Sequence, residues 1–430
     1  MPADTSQPFR NSNSVSPTLG FVATHLSPSS IIATLRSVLR FAPIEFNAVE
    51  RRLKRMANVE DFRKAARRRM PRGVFDYIDG AAEDERAKNS NIAAFSNTIF
   101  HPRVLRDVSK VSTATMVLGK PVAYPFILAP TGFTRIADPQ GELAVARAAE
   151  RAGLPYVLST LATRSIEEVR SVSSGRLWFQ VYAWRDRGLV GEMIARAGAA
   201  NYEALVLTVD TAVAGRRERD VRRGFSLPPM IGPGTIVDGA LHPAWTWDFV
   251  RSDPIRFANV RGRDVGDGST AVSLAAYIDS QFDPSLSWSD IEWLRSIWDG
   301  PIVLKGVQSV EDARLAADIG LAAIALSNHG GRQLDSSPAI FDLVAPVADA
   351  VGGELEIYCD GGVRRGNDIV KAVAAGATAA MGGRSYLYAL GAAGERGVDR
   401  LLEMFGEDMR RTMALIGESA IDGLNPDCLT

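Results

Sequence analysis

The chain has 430 residues, of which 46% are hydrophobic and 23% are charged, an ordinary composition for a globular protein with a large core. A formal net charge of −1 excludes a molecule whose whole surface is built to bind nucleic acid. The two cysteines, Cys359 and Cys428, supply neither a disulfide framework nor a zinc-site spacing. No apolar run approaches the roughly 20 residues that span a bilayer.

The first 57 residues are predicted to be an extension that precedes the folded domain. Residues 1–28 are rich in Ser, Pro, Asn and Thr, which predicts disorder. Residues 31–39 then show the pattern of a short amphipathic helix. Residues 1–72 hold 13 Lys and Arg against 5 Asp and Glu, an excess that suits an anionic membrane surface. A solvated helical surface or a targeting peptide explains the same charges.

Two helices are predicted before the first strand. Asn58 can cap a helix that runs toward Arg69, and Pro71 opens a second helical turn that ends at Gly80. These helices are expected to lie across one end of the domain that follows. That domain is predicted to take residues 58–430.

From residue 121 the pattern becomes regular, with eight short apolar runs that are mostly separated by helical stretches. This alternation predicts an α/β fold, a (β/α)8 TIM barrel with an N-terminal helical extension. A doubly wound open sheet is the alternative, but residues 130–133 lack the glycine-rich turn that its first strand would need. The predicted strands are 125–129, 156–159, 177–182, 204–208, 302–304, 322–326, 355–359 and 378–381. The predicted helices are 142–152, 166–172, 189–197, 311–319, 341–351, 368–375 and 397–415.

A long insertion separates strands 4 and 5. Residues 225–285 hold several prolines, many glycines, and an apolar patch of Trp245, Trp247 and Phe249. The insertion is expected at the carboxyl ends of the strands. Two interpretations stay open: a lid over the site, or docking of the tryptophans on a membrane surface.

Polar side chains follow almost every predicted strand, and sites in such barrels lie just past the strand ends. The segment Ser327–Asp335 presents His329 and Arg332 together, a base beside a fixed cation. This pair suits a substrate with a removable proton and a carboxylate. Asp210 can orient the imidazole. Arg217 offers a second guanidinium, unless it only forms a surface ion pair with Glu218 or Asp220.

The turns after strands 7 and 8 are glycine-rich and carry arginines, which predicts a phosphate site at 360–366 and 382–385. Lys305 after strand 5 has two interpretations, a Schiff-base lysine of an aldolase or a positive charge against an electron-accepting ring. The neutral polar groups of Thr131, Ser159, Gln180 and Thr208 favour the ring, and hence a flavin. No metal site is predicted from the four histidines.

At these residues the chain resembles the FMN-dependent L-2-hydroxy acid oxidases and dehydrogenases. Ser327–Asp335 looks like the active-site signature of that family, and the resemblance runs from about Val59 to the C-terminus. Residues 242–248 and 282–288 look most like the bacterial L-lactate dehydrogenases that pass electrons to the respiratory chain. The resemblance implies FMN-dependent oxidation of an L-2-hydroxy acid, foremost L-lactate to pyruvate, with a quinone or cytochrome as acceptor. It also implies a homo-oligomer in the cytoplasm, peripheral on the inner face of the cell membrane, with no nucleic acid partner.

The resemblance carries residue roles with it. His329 matches the base, Asp210 its partner, Arg217 and Arg332 the carboxylate ligands, and Tyr77 and Tyr182 the tyrosines on the substrate's oxygens, with Tyr182 also counted as catalytic. Leu161 stands where glycolate-oxidising members carry an aromatic residue, which disfavours glycolate, and Gly132 replaces an alanine common in the oxidases. The FMN positions matched are Pro130, Thr131, Gly132, Ser159, Gln180, Thr208, Lys305, Asp360, Gly361, Gly362, Arg364, Gly383 and Arg384.

Four alternatives stay open beside this prediction. Two are variants of the same chemistry, an oxidase that makes hydrogen peroxide and an L-mandelate-type dehydrogenase. The third is the Schiff-base aldolase through Lys305. The fourth is a membrane-bound flavin-binding protein without turnover.

Overall fold

The computed structural model describes residues 32–33, 35–37, 45–223, 232–260 and 280–430. The chain divides into two compact units, residues 1–48 and residues 49–430. In the first unit the described residues 32–33 and 35–37 are helical, and Ile32 and Leu35 are about half exposed. The predicted disorder of residues 1–28 lies outside the described residues.

Eight parallel strands close into a barrel in the order β10-β3-β4-β5-β6-β7-β8-β9, so the predicted TIM barrel is confirmed. Each strand falls within two residues of its predicted start. Their side chains are almost all buried, as expected for strands covered by helices outside and packed against one another inside. The strands are β3 Phe126–Leu128, β4 Tyr156–Ser159, β5 Leu177–Tyr182, β6 Leu205–Thr208, β7 Ile302–Val307, β8 Ala323–Ser327, β9 Glu356–Asp360 and β10 Ala379–Gly382.

Large and small side chains alternate inside the barrel, so the interior is a packed core. Trp178 lies 6.0 Å from Tyr358 between ring centroids, and alanines on neighbouring strands, such as Ala323 and Ala379, leave room for the two rings. A hairpin of β1 Thr115–Val117 and β2 Lys120–Val122, which the sequence pattern did not predict, packs valines into the same cluster.

The helical pattern is confirmed around the barrel, and its largest deviation is the last helix. Arg384–Ile416 is one long helical segment with a kink at Ala393 and Gly394, whereas the prediction began at residue 397. The α-helices of the described residues are Ala48–Leu53, Val59–Arg69, Arg72–Asp79, Arg86–Asn97, Glu142–Arg151, Ile166–Val172, Arg187–Ala199, Glu218–Arg223, Pro233–Leu241, Pro243–Arg251, Asp290–Ile297, Val310–Asp318, Val344–Val351, Gly366–Ala374 and Arg384–Ile416.

Two of the helices that precede the barrel are those expected from their capping residues. The side chain of Asn58 accepts a hydrogen bond from the backbone of Asp61 at 3.0 Å and caps Val59–Arg69. The helix Arg72–Asp79 follows Pro71 and ends at Gly80. The carbonyl of Ile78 accepts from Arg384, so this helix lies at the carboxyl ends of the barrel strands.

Strand β7 differs from its prediction in a way that affects the site. It continues past Lys305 to Val307 through an irregularity at Gly306, whose φ is +113°. A Cβ at Gly306 would lie 2.8 Å from the Cβ of Asp210, so only glycine lets the two segments approach this closely. Lys305 therefore lies within the strand, whereas the prediction placed it at the strand end.

The described part of the insertion 225–285 includes the helices Pro233–Leu241 and Pro243–Arg251. Trp245 donates from Nε1 to the carbonyl of Ile136 at 2.9 Å, and Asp248 pairs with Arg69 at 2.7 Å. These contacts hold the second of the two helices against the loop that follows β3 and against the helix Val59–Arg69. In the part of the chain that the structure describes, no helix is long and apolar enough to cross a membrane.

Candidate active site

A cavity of about 580 Å³ opens at the carboxyl ends of the barrel strands, where the site was predicted. Of the residues predicted to bind substrate or cofactor, or to act in catalysis, all but Asp210 line it. Asp210 lies behind His329 and reaches the cavity only through that side chain. The functional groups predicted at the strand ends therefore line a single cavity, apart from Asp210.

His329 and Asp210 form the pair expected of a base and its orienting partner. Nδ1 of His329 lies 3.0 Å from Oδ1 of Asp210, so Nε2 is the ring nitrogen that is left to accept a proton. His329 has a φ of +58° and its N–H donates to Oγ of Ser327, so the strained backbone is fixed by the end of β8. Burial opposes ionisation of Asp210, but His329 and Lys305 together hold its pKa below the ordinary value.

Lys305 is fully enclosed and belongs to a buried polar triad. Its Nζ lies 3.0 Å from Oδ2 of Asp360 and donates to Oγ of Ser327 at 3.0 Å. Burial works against the cation, yet Asp360 and Asp210 hold the pKa of Lys305 above its ordinary value. A Schiff base needs a neutral amine, so this arrangement opposes the aldolase interpretation and favours a permanent positive charge.

Arg332 and Arg217 face the cavity from two different loops. Nη1 of Arg332 donates to the carbonyls of Tyr77 and Gly80, and its guanidinium lies 5.2 Å from the centroid of the Tyr77 ring. Burial, together with the like charge of Arg217, lowers the pKa of Arg332 to about 10, so it stays a cation at neutral pH. Arg217 does form the ion pair with Asp220, through Nε at 2.9 Å, and lines the cavity as well.

Two tyrosines complete this side of the cavity. Tyr182 stacks on Trp184 and meets the edge of Phe282, with ring centroids 6.4 Å and 5.3 Å apart. Burial and the charge of Asp210 raise the pKa of Tyr182, so its hydroxyl remains a hydrogen-bond donor. Tyr77 projects from the helix Arg72–Asp79 and meets the edge of Phe133.

The opposite wall carries neutral polar groups with unused hydrogen-bonding capacity. Oε1 of Gln180 accepts from Ser159 Oγ at 3.0 Å and from the backbone of Thr160, while its Nε2 is buried without a partner in the described residues. Oγ1 of Thr208 is buried and likewise unpaired among them. Buried polar atoms without partners are costly, so this wall fits a polar ring that supplies the missing partners. Thr131 differs, because its hydroxyl bonds to that of Tyr386 at 2.6 Å.

The end of the cavity that is predicted to hold a phosphate is formed by the turns after β9 and β10. Gly361 and Gly362 have φ of +150° and +85°, and a Cβ on Gly362 would collide with the carbonyl of Asn91. Arg364 and Arg384 line the cavity beside these glycines. Arg384 is braced by three carbonyls, those of Ile78, Gly330 and Gly80, and burial lowers its pKa.

Asn91 is a supporting residue that the sequence pattern did not reveal. It lies on the unpredicted helix Arg86–Asn97 and exchanges two hydrogen bonds with Asn328, at 2.8 and 3.1 Å. Asn328 in turn accepts from the backbone of Gly331, which fixes the loop that carries His329. Neither a motif nor a periodicity marks Asn91, since its partner is 237 residues away.

Comparisons with known proteins agree with this geometry. Residues 66–430 match the family described as FMN-dependent dehydrogenase. A putative L-lactate dehydrogenase of Mycobacterium tuberculosis is 44% identical over 400 residues, which cover 93% of this chain and 95% of that protein. Glycolate oxidase 3 of Arabidopsis thaliana is 42% identical over 364 residues, covering 84% of this chain and 92% of that protein.

Among solved structures, the chain is similar to the monotopic membrane protein (S)-mandelate dehydrogenase. The TM-score is 0.84 at 41% identity, and the match covers 87% of this chain and 99% of that one.

Proposed function

The chain belongs to the FMN-dependent dehydrogenase family, and from that membership we propose that it oxidises an L-2-hydroxy acid, foremost L-lactate, to the 2-oxo acid. The observation that carries the proposal is that His329, which is paired with Asp210, lines one cavity together with Arg217 and Arg332. A 2-hydroxy acid presents a carboxylate next to a carbon that bears a hydroxyl, and its oxidation removes two electrons and two protons, one hydrogen from the carbon and one from the oxygen. The cavity offers two cations and a base for those two chemical features.

In the proposed reaction Arg217 and Arg332 bind the carboxylate from two sides, which fixes the orientation of the substrate. The hydroxyls of Tyr77 and Tyr182 bind the substrate's oxygens. Nε2 of His329 takes the proton that the substrate releases, and Asp210 stabilises the imidazolium that forms. The position of these side chains at one cavity supports the roles, and each role is open to test by itself.

When bound, FMN would supply the oxidant, since it can take up the two electrons and the second hydrogen that leave the substrate. Gln180, Thr208 and Ser159 would hold its polar ring, and Lys305 would place a positive charge beside that ring. The phosphate would be bound by the backbone of three glycines, Gly361, Gly362 and Gly383, and by the guanidinium groups of Arg364 and Arg384. The unpaired Gln180 Nε2 and Thr208 Oγ1 support this fit.

The substrate's side chain is expected to meet apolar residues. Leu161, Phe133, Phe257 and Phe282 line the same cavity as the base. This rim suits a methyl group and also accommodates an aromatic ring, so a mandelate-type substrate is the second candidate, in line with the similarity to (S)-mandelate dehydrogenase. Anaerobic bleaching of the flavin by L-lactate, L-mandelate and glycolate would rank the three.

The test of the base is the variant His329→Ala. It should retain yellow FMN in full stoichiometry, because His329 is not among the residues proposed to hold the ring or the phosphate. Addition of L-lactate should no longer bleach it within the time that bleaches the natural enzyme completely. Turnover retained within tenfold of the natural rate would refute the assignment, since a general base contributes on the order of 10²-fold or more.

The two insertion helices are proposed to rest on a membrane. Ile236, Leu241, Trp247 and Val250 are exposed apolar side chains on Pro233–Leu241 and Pro243–Arg251, and Trp247 is 61% exposed. Through Asp248 the pair is tied to Arg69, at the end of a helix that also exposes Lys64, Arg67 and Arg68. An apolar patch beside a basic helix fits an anionic bilayer surface.

Co-sedimentation with vesicles tests this docking. A variant with Leu241, Trp247 and Val250 all replaced by Ser should lose binding to vesicles that contain phosphatidylglycerol, and flavin bleaching should persist. Met116→Ser is the matched control, because it removes an apolar side chain that is 51% exposed on the hairpin at the other end of the barrel. Equal vesicle binding by all three proteins would contradict the proposal.

The proposed acceptor is a membrane quinone or a cytochrome, which suits an enzyme docked on a membrane. The rival is molecular oxygen with release of hydrogen peroxide. Lactate-driven reduction of a soluble quinone with less than stoichiometric peroxide in air would support the proposal. One peroxide per lactate, with no gain in rate from quinone, would favour the oxidase.

A further inference from the structure

The two arginines proposed to bind the carboxylate come from parts of the chain more than a hundred residues apart, and one turn lies between them. Residues 80–85 join both sides: the backbone of Ala82 donates to the carbonyl of Gly331 at 2.8 Å, and that of Glu83 donates to the carbonyl of Arg216 at 2.9 Å. Nη1 of Arg332 donates to Gly80 in the same turn. The turn therefore connects the loop of Arg217 with the loop of Arg332, and its conformation affects the distance between the two arginines.

Arg219 fastens the Arg217 side of this arrangement. It lies on the helix Glu218–Arg223, two residues after Arg217, and its Nη1 lies 2.8 Å from Oδ2 of Asp79. Its Nη2 lies 2.6 Å from Oε2 of Glu85. One guanidinium thus joins the two acids that flank the turn, Asp79 at its start and Glu85 at its end.

Both acids are fixed from the other side, so they are rigid anchors. Asp79 is 2% exposed, accepts two hydrogen bonds from Arg63, at 2.5 and 3.0 Å, and a third from the hydroxyl of Tyr388 at 2.8 Å. Oε1 of Glu85 accepts from the backbone of Ala81. The side chain of Arg219 is 32% exposed and that of Arg63 is 30% exposed, so the two arginines reach the buried acid Asp79 from the surface.

An anchor is needed because the proposed carboxylate ligands repel each other. Arg217 and Arg332 are both cations at one cavity, and Arg217 disfavours the charge on Arg332. Before a carboxylate binds, this repulsion would favour an outward movement of the segment 216–223 if nothing held it. A segment that moves outward would bind the carboxylate with one arginine in place of two.

We propose that Arg219, bound to Asp79 and Glu85, is a positioning residue that sets the distance between Arg217 and Arg332 and thereby the affinity for the substrate's carboxylate. The proposal rests on the proposed function, because it takes those two arginines as the carboxylate ligands. It makes a specific distinction between binding and chemistry. Loss of the anchor should weaken carboxylate binding while His329 and the flavin positions stay in place.

The test compares Arg219→Gln, Arg219→Lys and Arg222→Gln in the FMN-loaded protein. Arg222 lies on the same helix, and its 70%-exposed side chain pairs with Glu218 within that helix, so it is a matched control. The readouts are kcat and KM for L-lactate, the FMN content per chain, and the Kd of oxalate from its perturbation of the flavin absorbance. Oxalate offers carboxylates and has no hydrogen to lose, so its Kd is independent of turnover.

For Arg219→Gln we expect KM and the oxalate Kd to rise by about tenfold or more, with kcat within about threefold and full FMN content. Arg219→Lys should restore part of the affinity, and Arg222→Gln should match the natural protein. An unchanged oxalate Kd in Arg219→Gln, or an equal rise in Arg222→Gln, would overturn the inference. So would parallel losses of kcat and FMN, which a purely structural role predicts.

The outcome also separates this inference from the function on which it rests. If the natural protein binds oxalate but no 2-hydroxy acid bleaches its flavin, the proposed function fails while the anchoring of the arginines is still measured. If the flavin bleaches normally and Arg219→Gln is indistinguishable from the natural protein, the anchor alone is refuted. Failure of the natural protein to bind oxalate refutes the pair of carboxylate-binding arginines, and the anchor with it.

Discussion

Asp210→Asn isolates the charge that stabilises the proposed base. The substitution keeps the shape of the side chain and removes its negative charge, 3.0 Å from Nδ1 of His329. The Asp210 side chain is 3% exposed and that of His329 is 25% exposed, so solvent screens the pair only in part. At an effective dielectric near 20, unit charges 4 Å apart interact by about 4 kcal/mol. A hydrogen bond to a charged group contributes about 1.5–3 kcal/mol.

We therefore expect about 3 kcal/mol less stabilisation of the imidazolium, which is a fall of about 100-fold in the rate of flavin reduction. Asp210 does not line the cavity, so FMN content and the KM for lactate should stay within about threefold. The assay is anaerobic stopped-flow absorbance with saturating L-lactate. Asp312→Asn controls for the loss of charge itself, because among the described residues this carboxylate accepts from Ser309 alone, at a helix start.

The pH dependence of the same pair has a definite sign. The pKa of Asp210 is lowered in the folded protein, so its carboxylate stays ionised below the ordinary titration range of an aspartate. Its contribution is therefore complete at pH 7, still present near pH 5, and lost only on further acidification. The 100-fold gap should be constant from pH 7 to pH 5. A gap below threefold at pH 7, or the loss of FMN from Asp210→Asn, would refute the reasoning.

Two further predictions address the phosphate end and the buried network. Gly362→Ala should lower FMN retention at least tenfold, because the added methyl group collides with Asn91. The control Gly353→Ala, with φ of +90° and nothing within 4 Å, should cost only about 1 kcal/mol of stability. Dialysis against FMN-free buffer measures retention and thermal melting measures stability, and equal FMN retention by both variants would contradict the prediction. Asp79→Asn should destabilise the fold by about 3 kcal/mol at pH 7 in urea titrations, because it breaks a buried pair with Arg63. The pKa of Asp79 is lower in the folded protein than in the unfolded chain, so its contribution to stability is present above the unfolded pKa and decreases as the pH falls below that pKa. If the difference in stability between Asp79→Asn and the natural protein stayed constant down to pH 3, the charge of Asp79 would not be its source.

The strands could be predicted closely because each is a short apolar run whose burial on both faces is fixed by the barrel. Tyr156–Ser159 and Leu177–Tyr182 were predicted at the bounds that the structure has. The cavity residues followed for the same reason, since the carboxyl ends of parallel strands share one end of the barrel. Thr208 and Asp360 end their strands, so the strand pattern alone was enough to predict that they lie at the cavity.

The prediction was less complete where contacts join segments that are distant along the chain. Lys305 was placed at a strand end, but β7 continues because Gly306 accepts a backbone conformation that no hydrophobic pattern reveals. Arg86–Asn97 was missed because its apolar positions are weakly periodic and small, and Asn91 supports the site from its buried face. A sequence read without tertiary contacts cannot show that Asn91 and Asn328 complement each other.

The two walls of the cavity are therefore formed by different kinds of segment, one by strand ends and the other by segments outside the sheet. The wall proposed for the flavin is supplied by strand ends, and hydrogen bonding along the barrel fixes its geometry. The wall proposed for the carboxylate is supplied by Tyr77, which precedes the barrel, by Arg217, which precedes the insertion, and by Arg332 on the loop after β8. Those three segments have no common sheet, so ion pairs such as Arg219 with Asp79 must set their spacing. Substitutions outside the barrel should therefore alter substrate affinity, and substitutions at strand ends should alter flavin binding.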